Sequence, residues 1–476
     1  MKRELYIQIK EFLREVICGT EFEGQVMTVG GCVRDDLMGL EIKDIDLCVS
    51  RPGGGIRLAE WLKEKGLTTK GVTVYPNYGT AMLHLKAFPD VELELVQTRK
   101  EKYIDHSCRN PQTAFGTIED DCMRRDLTIN SLYCNVSTDE IIDITGNGVK
   151  DIQEHIIRTP ANPDLTYDDD PLRILRCIRF ASRYGWDIET ETMEGMKRNA
   201  FRLEIITKER IREEFCKMLT CKHPVMAMEL LRETGAMHYV IPELEETYEM
   251  TQNEYHFGTV WEHTMKVMTS SLPSRIEEMD SQYLLIHRLS CLLHDIGKIR
   301  CREVTEDGRV HFLKHELKSY DMIEDIMRTL KFSNGEISEV RFLALHHMDS
   351  KKWGDRCEQM KDKKLRKLQY LCKTEDRFAQ LMVLIHADNM AHSEGRCMPE
   401  QVPMILARTE EMKKEGSAMF GYKLPLTGND MMVIKGLTPG PQVKECMEYL
   451  TKLAFVNPLR SREEFEILLN GYHLHK

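Results

Sequence analysis

Apolar residues recur at helical spacing at the start of the chain and at strand spacing soon afterwards. One face of a helix predicted over residues 1–18 carries Leu5, Ile9, Phe12, Leu13 and Val16. Residues 72–75, 80–85 and 91–96 are separated by turn residues and predict a set of short antiparallel strands. From about Asp168 the spacing is helical almost to the end. The pattern therefore predicts an α+β head followed by helical domains.

Another strand is predicted over residues 43–50, where three apolar residues alternate with polar ones. Successive side chains of a strand point to opposite faces, so Asp44 and Asp46 should lie on the same face. Two adjacent carboxylates repel each other unless a cation lies between them. Oxygen ligands in this arrangement suit Mg²⁺ that also holds a nucleotide triphosphate.

A glycine pair precedes this strand in the sequence Gly30-Gly31-Cys32-Val33-Arg34-Asp35. Glycines allow close approach of the backbone, and the helical spacing behind them would present free N–H groups to phosphate oxygens. Both short motifs are equally consistent with a turn before an edge strand that carries solvated aspartates.

Length and composition indicate a modular soluble protein. A chain of 476 residues is too long for one core, and turn-rich segments divide it into residues 1–150, 151–250, 251–395 and 396–476. No apolar run approaches the roughly twenty residues of a membrane helix, and the first residues lack a secretory apolar core. The fifteen cysteines contain no Cys-x-x-Cys pair and fit reduced thiols. We therefore expect a cytoplasmic protein with no membrane association.

The formal net charge of −11 argues against a protein that coats nucleic acid through one large basic field. A local basic patch remains compatible with this charge, because the Debye length at physiological salt is only about 8 Å.

Two later segments carry arginines beside acidic residues. Arg124 and Arg125 immediately precede Asp126, and Asn130 follows at a spacing that would share a helix face. Guanidinium groups bind phosphate oxygens, and Asp and Asn can hold sugar hydroxyls, so this segment suits a nucleotide clamp. A capped surface helix with local ion pairs is the alternative.

The dipeptide Asp170-Pro171 predicts the start of a helix, because Asp caps helices and Pro is preset for their first position. Four basic residues share one face of that helix: Arg173, Arg176, Arg179 and Arg183. This is a basic stripe on an acidic protein, although a salt-bridged interdomain helix would show the same pattern.

In this order, the motifs resemble the bacterial class II tRNA nucleotidyltransferase and poly(A) polymerase family. They are Gly30-Gly31-x-Val33-Arg34-Asp35, Asp44-x-Asp46, Arg124-Arg125-Asp126 with Asn130, and Asp170-Pro171-Leu172-Arg173. Glu101-x-Tyr103, Arg109-Asn110-Pro111 and residues 116–121 resemble the family's flexible segment. The resemblance covers nearly the whole chain. It implies a polymerase-β-like mixed-sheet head over residues 1–150, then a helical neck and body, an HD domain and a tail.

The resemblance also implies roles for individual residues. Asp44 and Asp46 would bind two Mg²⁺ ions that activate the RNA 3′-hydroxyl and stabilise pyrophosphate, with Glu94 as a third acidic group. The remaining implied nucleotide ligands are Gly30, Gly31, Arg34, Arg125, Asp126, Asn130, Asp169, Asp170, Arg173, Arg176 and Arg179.

The family's protein template, often Glu-Asp-x-x-Arg, corresponds to Asp169, Asp170 and Arg173. A carboxylate accepts a hydrogen bond from the exocyclic amine of cytosine or adenine, and a guanidinium donates to the neighbouring ring acceptors. Uracil and guanine present a carbonyl at that place and would be rejected. The chain departs from the family where Asp169 replaces the frequent Glu and Leu127 replaces the frequent Phe.

The implied activity is addition or repair of the 3′-terminal CCA of tRNA from CTP and ATP without a nucleic-acid template. A bacterial poly(A) polymerase, or an enzyme that adds only A or only CC, shares these motifs. From another class, the chain could be an HD metallophosphohydrolase whose head binds RNA. The sequence leaves the oligomeric state open between monomer and dimer.

The second half of the chain resembles the HD superfamily in the order of its metal-ligating residues. Imidazoles together with carboxylates suit a divalent transition metal. The implied site comprises His263, His294, Asp295 and Asp388, with His315, His346 and His347 as additional histidines, of which His315 and His346 are assigned to a second metal. Either a phosphohydrolase or a retained fold that only packs is compatible with this pattern.

Overall fold

The structure is a computed structural model that describes residues 1–69, 71–76, 79–102, 112–253, 256, 258–270 and 280–474. The chain divides into two compact units, Met1–Ile241 and Pro242–Lys476. The finer division into four domains stays a prediction. The mixed sheet near the N-terminus and the helices that follow confirm the predicted α+β class.

The first unit begins with a head of alternating helices and strands. Its elements are α1 (Arg3–Ile17), β1 (Val26–Val29), α2 (Gly31–Leu37), β2 (Ile45–Val49), α3 (Gly54–Glu64), β3 (Thr73–Tyr75), β4 (Thr80–Leu85), β5 (Phe88–Gln97), β6 (Arg99–Lys102), β7 (Gln112–Phe115), α4 (Ile118–Met123), β8 (Tyr133–Asn135), β9 (Ile141–Ile142), α5 (Gly148–Glu154) and β10 (Ile156–Ile157). A 3₁₀ turn spans Thr128–Asn130.

The head is built on a seven-stranded sheet with the order β3-β4-β5-β2-β1-β8-β9. Strands β2 and β5 run parallel, and the other neighbouring pairs are antiparallel. The predicted apolar face of α1 packs on this sheet through Ile9 and Leu13, which are buried with Leu47 of β2. Each such side chain contributes about 1.5–3 kcal/mol. This packing fixes β2, which carries Asp46, at the centre of the head.

Helices complete the first unit: α6 (Pro163–Asp169), α7 (Leu172–Tyr184), α8 (Thr190–Asn199), α9 (Lys208–Leu219), α10 (Pro224–Glu233) and α11 (Met237–Val240), with the strand β11 (Asp187–Ile188) paired to β10. Helix α7 packs against α9 and α10 and buries nine of its thirteen residues. It ends at Gly185, whose φ of +72° lies in the left-handed region that favours glycine.

The second unit is mainly helical: α12 (Val260–Thr269), α13 (Ser281–Leu293), α14 (His315–Thr329), α15 (Asn334–His346), α16 (Asp362–Cys372), α17 (Glu375–Met390), α18 (Gln401–Lys414), α19 (Gly428–Lys435), α20 (Pro441–Ala454) and α21 (Arg462–Gly471). A short hairpin joins β12 (Glu303–Val304) and β13 (Val310–His311). Helix α17 contacts α12, α13, α15, α16 and α18 and is the central helix of this unit. Its last turn carries Asp388, which is buried.

Two further observations bear on expectations from the sequence. In the part of the chain that the structure describes, none of the helices combines the length and the apolar composition needed to cross a bilayer. Each cysteine in those same residues is a free thiol.

Candidate active site and metal centre

A backbone turn at the N-terminus of α2 forms one wall of the site in the head. Gly30 caps this helix with φ +74° and ψ −121°, a conformation that L side chains rarely adopt. A Cβ atom at Gly30 would lie 3.2 Å from Nη1 of Arg125, whereas one at Gly31 would have its nearest neighbour 3.7 Å away. Gly30 is therefore required both by the turn and by the approach of Arg125.

This difference between the two glycines gives a matched pair of variants. Gly30→Ala should lower the free energy of unfolding by about 1–3 kcal/mol, because the residue would be held in a strained conformation and would press on Arg125. Gly31→Ala lies at a helical position with space around it and should change stability by less than about 1 kcal/mol. Urea unfolding of both variants measures the difference. Equal stability of the two would contradict the assigned role of Gly30.

An acidic cluster lies on two parallel strands beside this turn. Asp46 on β2 is the register partner of Glu94 on β5. Burial, the charge of Glu94 and that of Asp44 raise the pKa of Asp46 to about 6, although Arg125 opposes them. Asp44 is exposed and lies one residue before β2 begins, so only Asp46 of the pair lies on the strand itself. The charges nevertheless interact, and a cation would relieve their repulsion.

The segment after α4 supplies the cationic side of the site. The fully buried Asp121 carboxylate accepts hydrogen bonds from Nη2 of Arg124 at 2.5 Å and Nη2 of Arg125 at 3.1 Å. The Tyr133 hydroxyl donates to the same carboxylate at 2.7 Å. Burial raises the pKa of Asp121, but Arg125 and Arg124 outweigh it and hold the pKa at about 2. Asp121 thus fixes both guanidinium groups, and the sequence motifs did not identify it as a site residue.

Asp126 and Asn130 contact each other, as their spacing predicted, although the chain between them is a 3₁₀ turn and not an α-helix. Nδ2 of Asn130 donates to Oδ1 of Asp126 at 3.1 Å. Oδ1 of Asn130 accepts from Nη1 of Arg34. Nε and Nη2 of Arg176 contact Oδ2 of Asp126 at 2.7 and 2.6 Å. A continuous chain of polar contacts therefore joins α2 to α7.

The residues proposed as a protein template lie where α6 meets α7. Helix α7 begins at Leu172 with Pro171 as its N-cap residue, one position later than predicted, and Oδ1 of Asp170 accepts from the Leu172 N–H at 3.1 Å. Oδ2 of Asp170 pairs with Arg210 at 3.0 Å. Nη1 of Arg173 donates to the Thr166 carbonyl at 3.1 Å and lies 3.9 Å from the Asp169 carboxylate. The three residues are therefore neighbours within the first unit.

The arginines of α7 do not form the solvent-facing stripe that their spacing suggested. Arg173 is buried, Arg176 pairs with Asp126, and Arg179 pairs with Glu214 on α9 at 2.5 Å. Partner carboxylates lie on neighbouring elements because α7 is itself packed inside the unit. The alternative of a salt-bridged helix thus describes α7 better.

The structure describes only part of the segment that resembles the family's flexible segment. Tyr103 and residues 109–111 lie outside the described residues. Strands β6 and β7 pair antiparallel on either side, and Thr117 caps α4 with a capping box that includes Asp120.

The second unit holds a buried cluster of histidines and aspartates. Two overlapping groups, His263 with His294 and Asp388, and His294 with Asp295 and His347, each have their ligand atoms within 4.8 Å of one another. Every member is buried. Such a cluster satisfies the donor set of a transition metal, and His294 belongs to both groups.

The Nε2 atoms of four histidines lie around the Asp295 carboxylate. Nε2 of His263 and Nε2 of His294 lie 3.5 and 3.3 Å from its Oδ2. Nε2 of His315 and Nε2 of His347 lie 3.0 and 3.7 Å from its Oδ1. Nε2 of His263, Nε2 of His294 and Oδ1 of Asp295 are buried and make no aligned hydrogen bond, although Nε2 of His263 also lies 3.2 Å from Oδ1 of Asp388. Buried polar atoms without partners are costly, so this observation favours a metal at the cluster.

Each ring is oriented by its other nitrogen. Nδ1 lies within hydrogen-bond distance of the carbonyl three residues earlier for His294 (2.9 Å to Cys291), His315 (2.9 Å to Phe312) and His347 (2.6 Å to Ala344). A donating Nδ1–H leaves Nε2 as the free acceptor, which is the form of histidine that binds a metal.

The assignment of His346 to a second metal requires correction. Nδ1 of His346 lies 2.8 Å from the Asp349 carboxylate, and its ring packs on Phe342. His347 takes the place in the cluster instead, with its ring centroid 5.4 Å from that of His315. Successive residues of a helical turn point in directions about 100° apart, so only one of two adjacent histidines can face the centre.

A cavity of 530 Å³ opens on this cluster and is lined by two lysines that sequence reasoning did not assign. Nζ of Lys298 lies 2.7 Å from Oδ2 of Asp295, and Nζ of Lys351 lies 2.6 Å from Oδ2 of Asp388. The motif His294-Asp295-Ile296-Gly297-Lys298 contained a signal for the first lysine, whereas Lys351, which follows His347 closely, was not singled out.

Family models match three parts of the chain. Residues 26–158 match the poly A polymerase head domain, residues 185–247 match a probable RNA and SrmB-binding site of polymerase A, and residues 260–388 match the HD domain. The two sites described above lie mostly within the first and third of these matches.

Relatives and solved structures agree with these matches. The multifunctional CCA protein of Pseudomonas fluorescens is 31% identical over 322 residues, which are 64% of this chain and 70% of that protein. The mitochondrial CCA tRNA nucleotidyltransferase of Candida glabrata is 35% identical over 220 residues, 43% of this chain and 41% of that protein. The chain spans about half or less of the length of several such relatives.

The chain aligns in structure with the Bacillus stearothermophilus CCA-adding enzyme, which was solved in complex with CTP. The alignment covers 98% of this chain and 97% of that enzyme's chain, with a TM-score of 0.65 and 20% sequence identity. The family motifs, the matched domains and the extent of the Pseudomonas alignment together show that the chain belongs to the CCA-adding tRNA nucleotidyltransferase and poly(A) polymerase family and carries an HD domain.

Proposed function

We propose that the first unit is a template-independent nucleotidyltransferase that adds or repairs the 3′-terminal CCA of tRNA from CTP and ATP. The observation that carries this proposal is the chain of contacts Arg34–Asn130–Asp126–Arg176. It joins the turn at Gly30 and the arginines near Asp46 to the helix that begins beside Asp170 and Arg173. Acidic ligands, phosphate-binding groups and base-selecting groups are thereby assembled in one compact unit.

Asp46 and Asp44 would hold Mg²⁺, with Glu94 as an acidic neighbour on the adjacent strand. Burial and the charge of Glu94 raise the pKa of Asp46, and a bound cation would favour its charged form against both effects. Mg²⁺ would supply charge stabilisation for phosphoryl transfer. Arg125, fixed by Asp121 and the Asn130 carbonyl, is placed to bind the triphosphate.

The binding of the metal should depend on pH because a proton and the cation compete for Asp46. The pKa of this carboxyl is raised to about 6, so its charged form is lost as the pH falls through that value. We expect affinity for Mn²⁺, used as a paramagnetic substitute, to fall about tenfold per pH unit below pH 6 and to be nearly constant above pH 7. Electron paramagnetic resonance of the free ion measures this dependence. An affinity that is independent of pH from 5 to 7 would contradict the assignment.

Selection of C and A is assigned to Asp170 and Arg173, with Asp169 beside them. An acceptor and a donor at one site complement the exocyclic amine and the ring nitrogen of cytosine and adenine. A poly(A) polymerase is the nearest rival because it shares these motifs. The net charge of −11 favours a substrate bound at a local site over varied RNA ends held by a broad basic surface.

Three tRNA transcripts that lack three, two or one of the terminal C, C and A nucleotides separate the alternatives. Each is incubated with one labelled nucleotide at a time. We expect C to be added to the first two transcripts, A to the third, and no further extension after the terminal A. Repeated A addition to unrelated RNA ends would indicate a poly(A) polymerase. Extension of none of the three transcripts would overturn the proposal.

We also propose that the HD centre binds a divalent transition metal and hydrolyses a phosphoester. The convergence of unpartnered Nε2 atoms of His263 and His294 on the Asp295 carboxylate supports the metal, and the four histidines around that carboxylate are sufficient for two ions. Lys298 and Lys351 line the adjoining cavity and supply positive charge for a phosphate. A cytoplasmic location, with free thiols such as Cys122 and Cys177 in their reduced state, suits both activities.

A further inference from the structure

One wall of the cavity at the HD centre is formed by two histidines outside the expected ligand set. His256 and His392 both line this cavity. Their backbones form an antiparallel bridge, and their ring centroids lie 5.2 Å apart. The centroid of the His256 ring also lies 4.8 Å from that of His263. Two further imidazoles therefore lie directly beside the metal cluster.

Both ring nitrogens of His392 are already engaged. Nζ of Lys351 lies 3.3 Å from its Nε2, and an ammonium can only donate, so Nε2 is the acceptor. The proton of the neutral ring is then on Nδ1, which lies 3.1 Å from the Asn389 carbonyl. His392 thus helps to hold Lys351 at the cavity and has no N–H left for a ligand.

His256 differs from the other histidines that line the cavity. In His315, His347 and His392, Nδ1 lies within hydrogen-bond distance of a backbone carbonyl. Nδ1 of His256 is buried and, among the residues that the structure describes, has no hydrogen-bond partner. A buried polar atom without a partner is costly, so this nitrogen favours a partner that enters the cavity.

The geometry does not favour a metal as that partner. The ligand atoms within each metal-binding group lie within 4.8 Å of one another, and His256 belongs to neither group. Three rings around Asp295 direct Nδ1 at a carbonyl and thereby keep Nε2 for a metal, an orientation that His256 lacks. Lys298 and Lys351 line the same cavity, so an anionic acceptor is favoured instead.

We propose that His256 is a substrate-binding residue of the HD centre: its Nδ1–H donates to a phosphate oxygen of the phosphoester, beside the ammonium of Lys351. This inference rests on the phosphoester hydrolysis proposed for the HD centre. It assigns the phosphate to the side of the cavity that His256, His392 and Lys351 form.

Replacement of His256 with alanine, asparagine or glutamine tests this donor. The amide nitrogen of asparagine takes the place of Nδ1, whereas the longer glutamine carries its amide beyond that place. Binding of inorganic phosphate is measured as competitive inhibition of bis(p-nitrophenyl) phosphate hydrolysis, and metal content is measured by plasma mass spectrometry.

We expect His256→Ala and His256→Gln to raise the inhibition constant of phosphate at least about tenfold, because a hydrogen bond to a charged oxygen is lost. His256→Asn should raise it less than about threefold, because it keeps the donor. All three variants should retain the metal content of the wild type.

His386→Asn is the matched control. Nδ1 of His386 is likewise buried without a hydrogen-bond partner among the described residues, but His386 does not line the cavity. This variant should keep both the inhibition constant and the metal content. Should His256→Ala fail to fold, the comparison of His256→Asn with His256→Gln still decides, because these side chains carry the same amide at different distances from the backbone.

The other outcomes contradict the inference. Loss of metal from the His256 variants would show that His256 is a metal ligand. An unchanged inhibition constant in His256→Ala, or equal increases in His256→Asn and His256→Gln, would show that Nδ1 does not bind the phosphate. A wild-type protein that holds no metal or hydrolyses no phosphoester would instead refute the function proposed for the HD centre, so the two failures are distinguishable.

Discussion

Replacing Asp46 with asparagine should reduce the transfer of every nucleotide by at least about a thousandfold, equivalent to about 4 kcal/mol of activation free energy. The change removes the charge of the carboxylate that faces Glu94 on the neighbouring strand, and with it a ligand of the proposed Mg²⁺ site. Fold and stability should be kept, because the pKa of Asp46 is already raised to about 6 by burial and by Glu94. Steady-state transfer of labelled CTP and ATP measures the effect.

Glu92→Gln is the control for this variant. Glu92 lies two residues from Glu94 on the same strand, is exposed, and has Oε1 3.6 Å from Nε2 of His84. The control variant should transfer both nucleotides at the wild-type rate. If Asp46→Asn lost the transfer of only one of the two nucleotides, Asp46 would not hold the metal for the common chemical step. The same conclusion would follow if Asp46→Asn and Glu92→Gln lost transfer activity equally.

Replacing His294 with glutamine should remove most of the bound metal from the HD centre and abolish its phosphoester hydrolysis. His294 belongs to both ligand groups, so its loss should weaken every ion that the cluster holds. Loss of an outer partner alone costs about 10–100-fold in affinity, and loss of a ligand should cost no less. Metal analysis by plasma mass spectrometry and hydrolysis of bis(p-nitrophenyl) phosphate measure the two effects. Nucleotide transfer should be unchanged, because that site lies in the other unit.

His346→Gln is the control for this variant, because His346 pairs with Asp349 outside the cluster. It should retain wild-type metal content. A chelator should lower the midpoint of thermal unfolding of the wild type and of His346→Gln but not of His294→Gln, since only a bound ion stabilises the folded state by mass action. Wild-type metal content in His294→Gln would refute the proposed centre.

The α+β class and the order of the head's strands along the chain could be predicted, because they depend on periodicity and turn residues that are local in sequence. The parallel pairing that brings Glu94 opposite Asp46 depends on the crossover through α3 and on which strands share the core. The resemblance suggested Glu94, but no local pattern fixes the partner of a strand.

The side-chain partners in the site were less predictable. Spacing placed four arginines on one face of α7, yet it does not reveal that α9 supplies Glu214 to Arg179 or that Asp126 lies against Arg176. Asp121 was missed because a carboxylate near two arginines appears, in sequence, the same as an exposed capping residue. Only its complete burial shows that it fixes Arg124 and Arg125.

The adjacent pair His346 and His347 illustrates a different limit. Residue type alone makes either histidine a ligand, and the choice depends on the rotation of α15 about its axis, because successive residues point about 100° apart. That rotation is set by the packing of α15 against neighbouring helices, which the sequence near His346 does not reveal.

Three histidines around Asp295 are each oriented by a carbonyl of their own helical turn or of the turn that precedes their helix. The local backbone therefore sets the orientation of each ring, and another ligand does not. Because the rings are oriented independently, substitution of one histidine should leave the others directed at the same point. Over evolutionary time, such a centre could lose or regain a second ion by single substitutions, without rebuilding the helices that carry it.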